Sequence, residues 1–317
     1  MSRMSAGITD TVMERVRNSC DAGNGHVTYT GHAITIRLNN RNMSKMEDAI
    51  LGFAIGDALG VPYEFKKRDT FLCADMIGYG THHKPAGTWS DDTSMTLATL
   101  DSLKAHGGKI VTEDICTKFN YWLLYGDYTT DGDVFDAGVT TCTALKKGKP
   151  AIGEWDNGNG SLMRVLPLAF VDCTDDEIRA VSAITHGHWI SEEACVIYVH
   201  VAKRLLAGET ISSIIPTLRF DKPFDRLHFI NTVDRTQIKS SGYVVDTLEA
   251  ALWAVSHEGD WEKDFRNDIL TAVNLGSDTD TVAAVAGGLA GIIYGLDDVQ
   301  DWVDRLQNRE EIERYLF

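Results

Sequence analysis

The sequence predicts an all-α core, a domain of many short helices packed across one another, with a small amino-terminal extension of helix and strand character at residues 1–43. Three observations lead there. From residue 44 onward, apolar residues recur at helical spacing in one segment after another. The separators between those segments are short and rich in glycine, aspartate or histidine, as helix connections usually are. No strand alternates with a helix, which argues against a doubly wound sheet or a barrel.

In chain order, Ile8 to Val16 reads as a short amphipathic helix, and Asp21-Ala22-Gly23-Asn24-Gly25 as a turn cluster. His26–Tyr29 and Ala33–Leu38 are β-branched runs separated by Thr30-Gly31-His32, which predicts a hairpin. Asn39–Asn42 then reads as a linker. Ser44-Lys45-Met46-Glu47 has the spacing of a capping box, placing a helix start just before Ala49. Gly52, Gly56 and Gly60 recur every four residues on that helix. Each costs about 1 kcal/mol of helix propensity, so close approach by another helix or a ligand is the expected reason for three of them. Asp48 and Asp57 exclude a membrane helix here.

Beyond residue 110, helical patterns cover 113–125, 136–147, 161–170, 175–185, 191–207, 242–255 and 261–275, with Ile211–Lys239 unassigned because Pro216, Pro223 and mixed charge break the pattern. The 317 residues carry 46 acids against 30 bases, a formal net charge of −16. Phosphate surfaces would be repelled, so neither nucleic acid nor an anionic membrane is an expected partner. No hydrophobic signal segment or membrane span is evident, and the expected location is the cytoplasm. The six cysteines include no CxxC pair, so reduced thiols are expected rather than disulfides or a thiolate zinc site.

Chemistry concentrates in two acidic helix starts. Trp89-Ser90-Asp91-Asp92-Thr93 opens an apolar run through Met95, Leu97, Ala98, Leu100 and Leu103. Gly276-Ser277-Asp278-Thr279-Asp280-Thr281 precedes a helix that is small or apolar on every side and must therefore be buried. Paired carboxylates at a helix N-terminus repel each other, and a hard cation bound through oxygen would relieve that repulsion; Mg²⁺, Mn²⁺ or Ca²⁺ suits this set better than zinc. Either cluster alone is explained at least as well by ordinary N-capping, but two of them feeding buried helices leave carboxylates that are costly unless paired or metal-bound. Between them, Asp156-Asn157-Gly158-Asn159-Gly160 is a loop that a polar ligand could approach closely, and His186 and His188 suit a substrate contact better than zinc.

Taken together, Gly52–Phe65, Trp89–Met95, Asn159–Arg164, His186, Gly242–Trp253 and Gly276–Gly288 resemble the ADP-ribosylglycohydrolases of the dinitrogenase-reductase-activating type, in the family's order from about residue 45 to the end of the chain. The resemblance implies an orthogonal all-helical catalytic domain over residues 44–317 with a dinuclear centre of two Mg²⁺ or Mn²⁺ ions. It implies hydrolysis of the N-glycosidic bond of ADP-ribosyl-arginine in a modified protein. Carried over by position, it implies Ser90, Asp91, Asp92, Asp278, Asp280 and Thr281 as metal ligands and Glu64 as the acidic group near the scissile bond. Asp156, Asn159, Gly160, His186 and Tyr243 are implied to line the substrate cleft. Ser90 stands where threonine is commoner, which preserves a hydroxyl.

Two other readings compete. Some family members are immunity proteins against ADP-ribosyltransferase toxins, and residues 1–43, which the minimal family lacks, would then be an arm that binds and occludes such a partner. A catalytically silent relative is the third, and the intact ligand set counts against it.

Overall fold

The computed structural model describes residues 26–30, 33–37, 41–259 and 262–317, with side chains from Lys45 onward. Contacts divide the chain into two units, Met1–Ser44 and Lys45–Phe317. In the first, β1 (His26–Thr30) pairs antiparallel with β2 (Ala33–Arg37), Val27 opposite Ile36 and Thr28 opposite Thr35, which is the hairpin that the two β-branched runs predict. The helix expected over Ile8–Val16, the turn cluster at 21–25 and Asn39-Asn40 lie outside the described residues.

Helix α1 (Arg41–Gly60) begins three residues ahead of Ser44. The capping-box start and the linker reading of Arg41-Asn42 are therefore corrected: nothing in Arg41-Asn42-Met43 breaks a helix, and a serine already inside one cannot act as its N-cap. The second unit continues with α2 (Asp91–Ala105), α3 (Thr112–Tyr125), α4 (Val139–Lys147), α5 (Asp175–Ser182), α6 (Trp189–Leu206), the single turn α7 (Ile211–Ile214), α8 (Val244–Ser256), α9 (Phe265–Val273), α10 (Thr279–Tyr294), and the short α11 (Gln300–Val303) and α12 (Arg309–Tyr315).

Several predicted helices are shorter or different: the pattern over 136–147 becomes a helix only from Val139, and that over 175–185 ends at Ser182. Residues 159–164 and 166–170 form two 3-10 turns, because Pro167 withholds a backbone donor and disfavours the α conformation before it. The helix predicted from Trp261 starts only at Phe265, where Asp264 accepts a hydrogen bond from the Asn267 amide at 2.7 Å. The unassigned segment 211–239 consists of α7 followed by three 3-10 turns.

Helices α2, α8 and α10 form the centre, almost all of their residues buried. Helix α10 runs antiparallel to α1 with backbones touching: a Cβ on Gly52 would lie 2.6 Å from the Gly287 carbonyl oxygen, one on Gly56 2.0 Å from that of Ala283, and one on Gly60 2.3 Å from Cα of Asp280. The glycine spacing thus serves a partner helix, and at its last step it seats the end of α1 against the acidic start of α10.

Candidate active site

Asp91 and Asp92 are the first residues of α2, and Asp278 is the N-cap of α10 with Asp280 in its first turn. Asp91, Asp92 and Asp280 are buried and Asp278 is partly so, and a cavity of about 260 Å³ opens where these two helix starts meet. The Ser90 hydroxyl caps α2 by accepting from the Asp92 amide at 3.3 Å, and the Thr281 hydroxyl donates to Asp92 Oδ1 at 3.3 Å, joining one start to the other. Burial lifts the pKa of Asp91, Asp92 and Asp280 well above the ordinary carboxylate range, and the neighbouring carboxylates add to it. Asp278 is raised too, by burial.

Glu64 follows the 3-10 turn Val61–Tyr63 and reaches the same cavity. Its pKa is pushed up to about 8 by burial and then by Asp278; Asp136, also in the lining, is pushed up to about 8 by burial and then by Glu64. The His82 ring nitrogen Nε2 contacts the Glu64 carboxylate, and potential ligand atoms of Glu64, His82 and Asp136 lie within 4.8 Å of one another. Phe65, Asp136 and Ser277 all hold positive φ, at 63°, 59° and 67°. For Phe65 and Ser277 this costs roughly 1 kcal/mol each, so strain gathers where the carboxylates gather.

The other side of the cavity carries no carboxylate of its own. Gly158, Asn159, Gly160, Thr141 and His186 line it. Gly160 has no room for a side chain: a Cβ would sit 2.9 Å from Thr141 Oγ1 and 3.0 Å from the His186 ring. Asn159 Nδ2 donates to Thr247 Oγ1 at 2.9 Å and to Asp278 Oδ2 at 3.0 Å, linking this side to the acidic one. His186 pairs through Nδ1 with Thr185 Oγ1 at 2.7 Å, and burial, followed by the positive charge of Arg164, lowers its pKa to about 3, so the ring is neutral. Arg164 is itself buried, stacked 4.6 Å from the Phe119 ring, and closes the end of α5 by donating to the carbonyls of Val181 and Ser182.

The loops around the cavity are laced by backbone pairs. Phe65 N meets Ser277 O at 2.7 Å and Ser277 N meets Lys66 O at 2.8 Å; Asp278 N meets Ser240 O and Asn159 N meets Gly242 O, both at 3.0 Å. Irregular segments buried at a site must satisfy their donors somehow, and here they satisfy one another.

Of the residues singled out from the sequence, Glu64, Asp91, Asn159, Gly160, His186, Asp278 and Thr281 line the cavity. Ser90, Asp92 and Asp280 stand immediately behind it, while Asp156 and Tyr243 are not part of its lining. Asp156 Oδ2 instead accepts from the Gly153 amide at 3.0 Å, closing a tight turn, and Tyr243 is 36% exposed. Three residues escaped the sequence reading: Asp136, His82 and Asp57. Asp57, on α1, accepts from the amides of Ser90 and Thr93 and from the Thr93 hydroxyl, the last at 2.6 Å.

A hard cation fits this set. Carboxylate oxygens of Asp57, Asp92 and Asp280 lie within 4.8 Å of one another. Both Asp57 oxygens are already taken by α2's first amides, so Asp57 orients the helix start and leaves coordination to its neighbours. Asp92 Oδ2, Asp278 Oδ1 and Asp280 Oδ2 are buried with no hydrogen-bond partner. Orphaned carboxylate oxygens are costly, and an all-oxygen donor set matches a hard divalent cation.

With this geometry established, comparison with known proteins is informative. The family described as ADP-ribosylglycohydrolase matches residues 38–316, and the chain belongs to that family. The chain is 35% identical over 293 residues to a Pseudomonas putida protein named ADP-ribosylarginine hydrolase Tri1, covering 86% of this chain and 76% of the relative. It is 31% identical to the ADP-ribosyl-[dinitrogen reductase] glycohydrolase of Rhodospirillum rubrum, over 84% of this chain and 91% of that one. A solved structure titled ADP-ribosylglycohydrolase-related protein complex superposes with a TM-score of 0.72 at 31% identity, covering 87% of this chain and 96% of the other. Among the described residues no helix is long and apolar enough to cross a membrane.

Proposed function

We propose that this chain is a metal-dependent cytoplasmic hydrolase that releases ADP-ribose from modified arginine side chains of proteins. The observation that carries the reading is the set of three unpartnered buried carboxylate oxygens, on Asp92, Asp278 and Asp280, beside a cavity whose other side is neutral. Asp91, Asp92, Asp278, Asp280, Thr281 and Ser90 would hold two Mg²⁺ or Mn²⁺ ions. Such a pair supplies positive charge for the ribose hydroxyls and makes a water more acidic.

The protein's own residues do the rest. Gly158, Asn159 and Gly160 let the ligand approach the backbone, and neutral His186 offers a ring nitrogen without adding charge. Asp136 and Glu64 together face the bond to be broken. With both pKa values raised to about 8 in the metal-free protein, the pair keeps its protons near neutral pH and can pass one to the guanidine nitrogen as its bond to ribose breaks. Arginine as acceptor rests on the names of the relatives together with this acidic pair.

The test is to incubate the protein with arginine-linked and serine-linked ADP-ribosyl substrates, with Mg²⁺ or with chelator, and identify products by mass spectrometry. Release of ADP-ribose from the arginine linkage alone, and only with metal, is expected. Release from serine alone would refute the acceptor, and release in chelator would refute the metal.

A second reading adds to the first. The family match starts at residue 38, and ahead of it lies a segment containing the β1–β2 hairpin. We infer that residues 1–43, most of which lie ahead of that match, form a partner-binding arm whose open strand edge and basic residues (Arg15, Arg17, Arg37, Arg41) engage the acidic cleft of a cognate ADP-ribosyltransferase toxin. Deleting it should preserve hydrolysis and weaken transferase binding; a truncated protein that loses turnover would sink this reading.

A further inference from the structure

We propose that Arg68 is a positioning residue: it fixes the loop carrying Glu64 against the turn that leads into the α10 start at Asp278 and Asp280, and thereby sets the distance between the acid group and the proposed metal ligands. This rests on the hydrolase reading above. The guanidinium lies outside the cavity, on the far side of the Phe65–Ser277 backbone pair. Its Nε donates to the Leu275 carbonyl at 2.7 Å, Nη1 to the Arg235 carbonyl at 2.7 Å, and Nη2 to the Ile238 carbonyl at 2.5 Å. One side chain therefore ties three segments that are remote in sequence: its own loop four residues after Glu64, the 235–240 turn, and the turn that leads from Leu275 to Asp278.

The surroundings show that the junction is built around this contact. A Cβ on Gly276 would stand 2.6 Å from the Arg68 amide nitrogen, so the two loops pack backbone to backbone. Ser240 Oγ donates to the carbonyls of Leu275 and Gly276, and the Ser240 carbonyl accepts from the Asp278 amide, so the turn held by Arg68 also holds the α10 N-cap. Arg235 reaches back across the junction to Asp69 and to the Asn274 carbonyl, both at 2.8 Å. Among these groups only a planar fork directs donors to three carbonyls at once; an ammonium in the same place is a point charge that reaches one or two. Phe65 and Ser277, both at positive φ, need such an outside restraint to persist.

The experiment compares Arg68→Met and Arg68→Lys with the wild type in turnover of ADP-ribosyl-arginine, Mn²⁺ affinity by calorimetry, and amide hydrogen exchange at Phe65 and Ser277. Arg68→Met should lower kcat on the order of a hundredfold, because a misplacement of about 1 Å between reacting groups has that effect. KM and Mn²⁺ affinity should stay within about twofold, since the ligands keep their own helix starts. Exchange at Phe65 and Ser277 should accelerate, and Arg68→Lys should recover part of the rate and part of the protection. A rate within about twofold of wild type, unchanged exchange at both amides, or a proportional loss of kcat, Mn²⁺ affinity and melting temperature would each overturn the assignment. If Arg68→Met does not fold, Arg68→Lys decides: wild-type rate and exchange in that variant refute the proposal. If the wild type itself releases no ADP-ribose, the hydrolase reading has failed, while the exchange measurement still reports on Arg68.

Discussion

One side of the cavity brings Asp91, Asp278 and Glu64 together with Asp92 and Asp280 behind them; the other offers Gly158, Asn159, Gly160, Thr141 and His186, where only neutral groups meet the ligand. Both sides are buried, and burial disfavours charge on each. The outcomes differ because the chain treats the two sides differently. On the neutral side Thr185 holds Nδ1 of His186, and Thr247 and Asp278 hold Nδ2 of Asn159. On the acidic side three carboxylate oxygens are left without partners. A protein that satisfies one wall and leaves the other incomplete has separated shape recognition from charge chemistry, and each can be attacked alone.

The largest effect should come from the acidic side. Asp280→Ala, and likewise Asp91→Ala, should leave the fold largely intact and lower turnover by at least about a hundredfold with weakened Mn²⁺ binding, because losing a ligand opens a coordination position. Near-native turnover in saturating Mg²⁺ would show that these aspartates are not ligands. Glu64→Ala should come next, losing rate while calorimetry still detects Mn²⁺ and ADP-ribose; if affinity for ADP-ribose vanishes, Glu64 belongs to binding.

A smaller, opposite signature is expected from the neutral side. His186→Ala should raise KM about tenfold, equivalent to roughly 1.4 kcal/mol of lost ground-state contact, with Mn²⁺ affinity unchanged. A fall in kcat at constant KM would move His186 into the chemical step and blur the division between the walls.

The subtlest test is pH. Glu64 and Asp136 are raised in the folded protein to about 8, so the metal-free fold binds protons that the unfolded chain releases. Their contribution is complete below pH 4, near their unfolded values, and is lost as pH rises through 8. In chelator the melting temperature should therefore fall between pH 5 and 8, by on the order of 1 kcal/mol of stability per pH unit for the coupled pair, and Glu64→Gln with Asp136→Asn should reduce that slope, the remainder coming from Asp91, Asp92 and Asp280, whose pKa values burial also raises. His186, lowered to about 3, acts in the other direction: its contribution is present above pH 6.5 and is lost as pH falls toward 3. A wild-type profile that rises from pH 5 to 8 in chelator would mean that the neutral side dominates.

What the sequence revealed follows the range of the forces involved. Asp91, Asp92, Asp278 and Asp280 could be read because a helix start announces itself locally, through an acid and a hydroxyl ahead of an apolar run. The all-helical class was legible for the same reason. Asp57 was not: it sits mid-helix among glycines, and its role exists only because the first amides of α2 dock on it from a segment more than thirty residues away. His82 lies in a loop without periodicity, Asp136 falls just ahead of α4 although the helical pattern over 136–147 begins with it, and both meet Glu64 only in space. The helix start at Ser44 misled because a capping-box spacing can occur inside a helix that began earlier.

The glycine contacts between α1 and α10 carry a consequence for how the molecule is made. Gly52 touches Gly287 and Gly60 touches Asp280, pairs more than two hundred positions apart along the chain. Contacts at such separation form late, after the intervening loop has been closed. On the ribosome, then, the acidic start of α2 emerges long before that of α10, and a nascent chain holds half of the carboxylate cluster until the other half follows. The cluster is complete only once the segment from Thr279 to Gly291 has packed on α1.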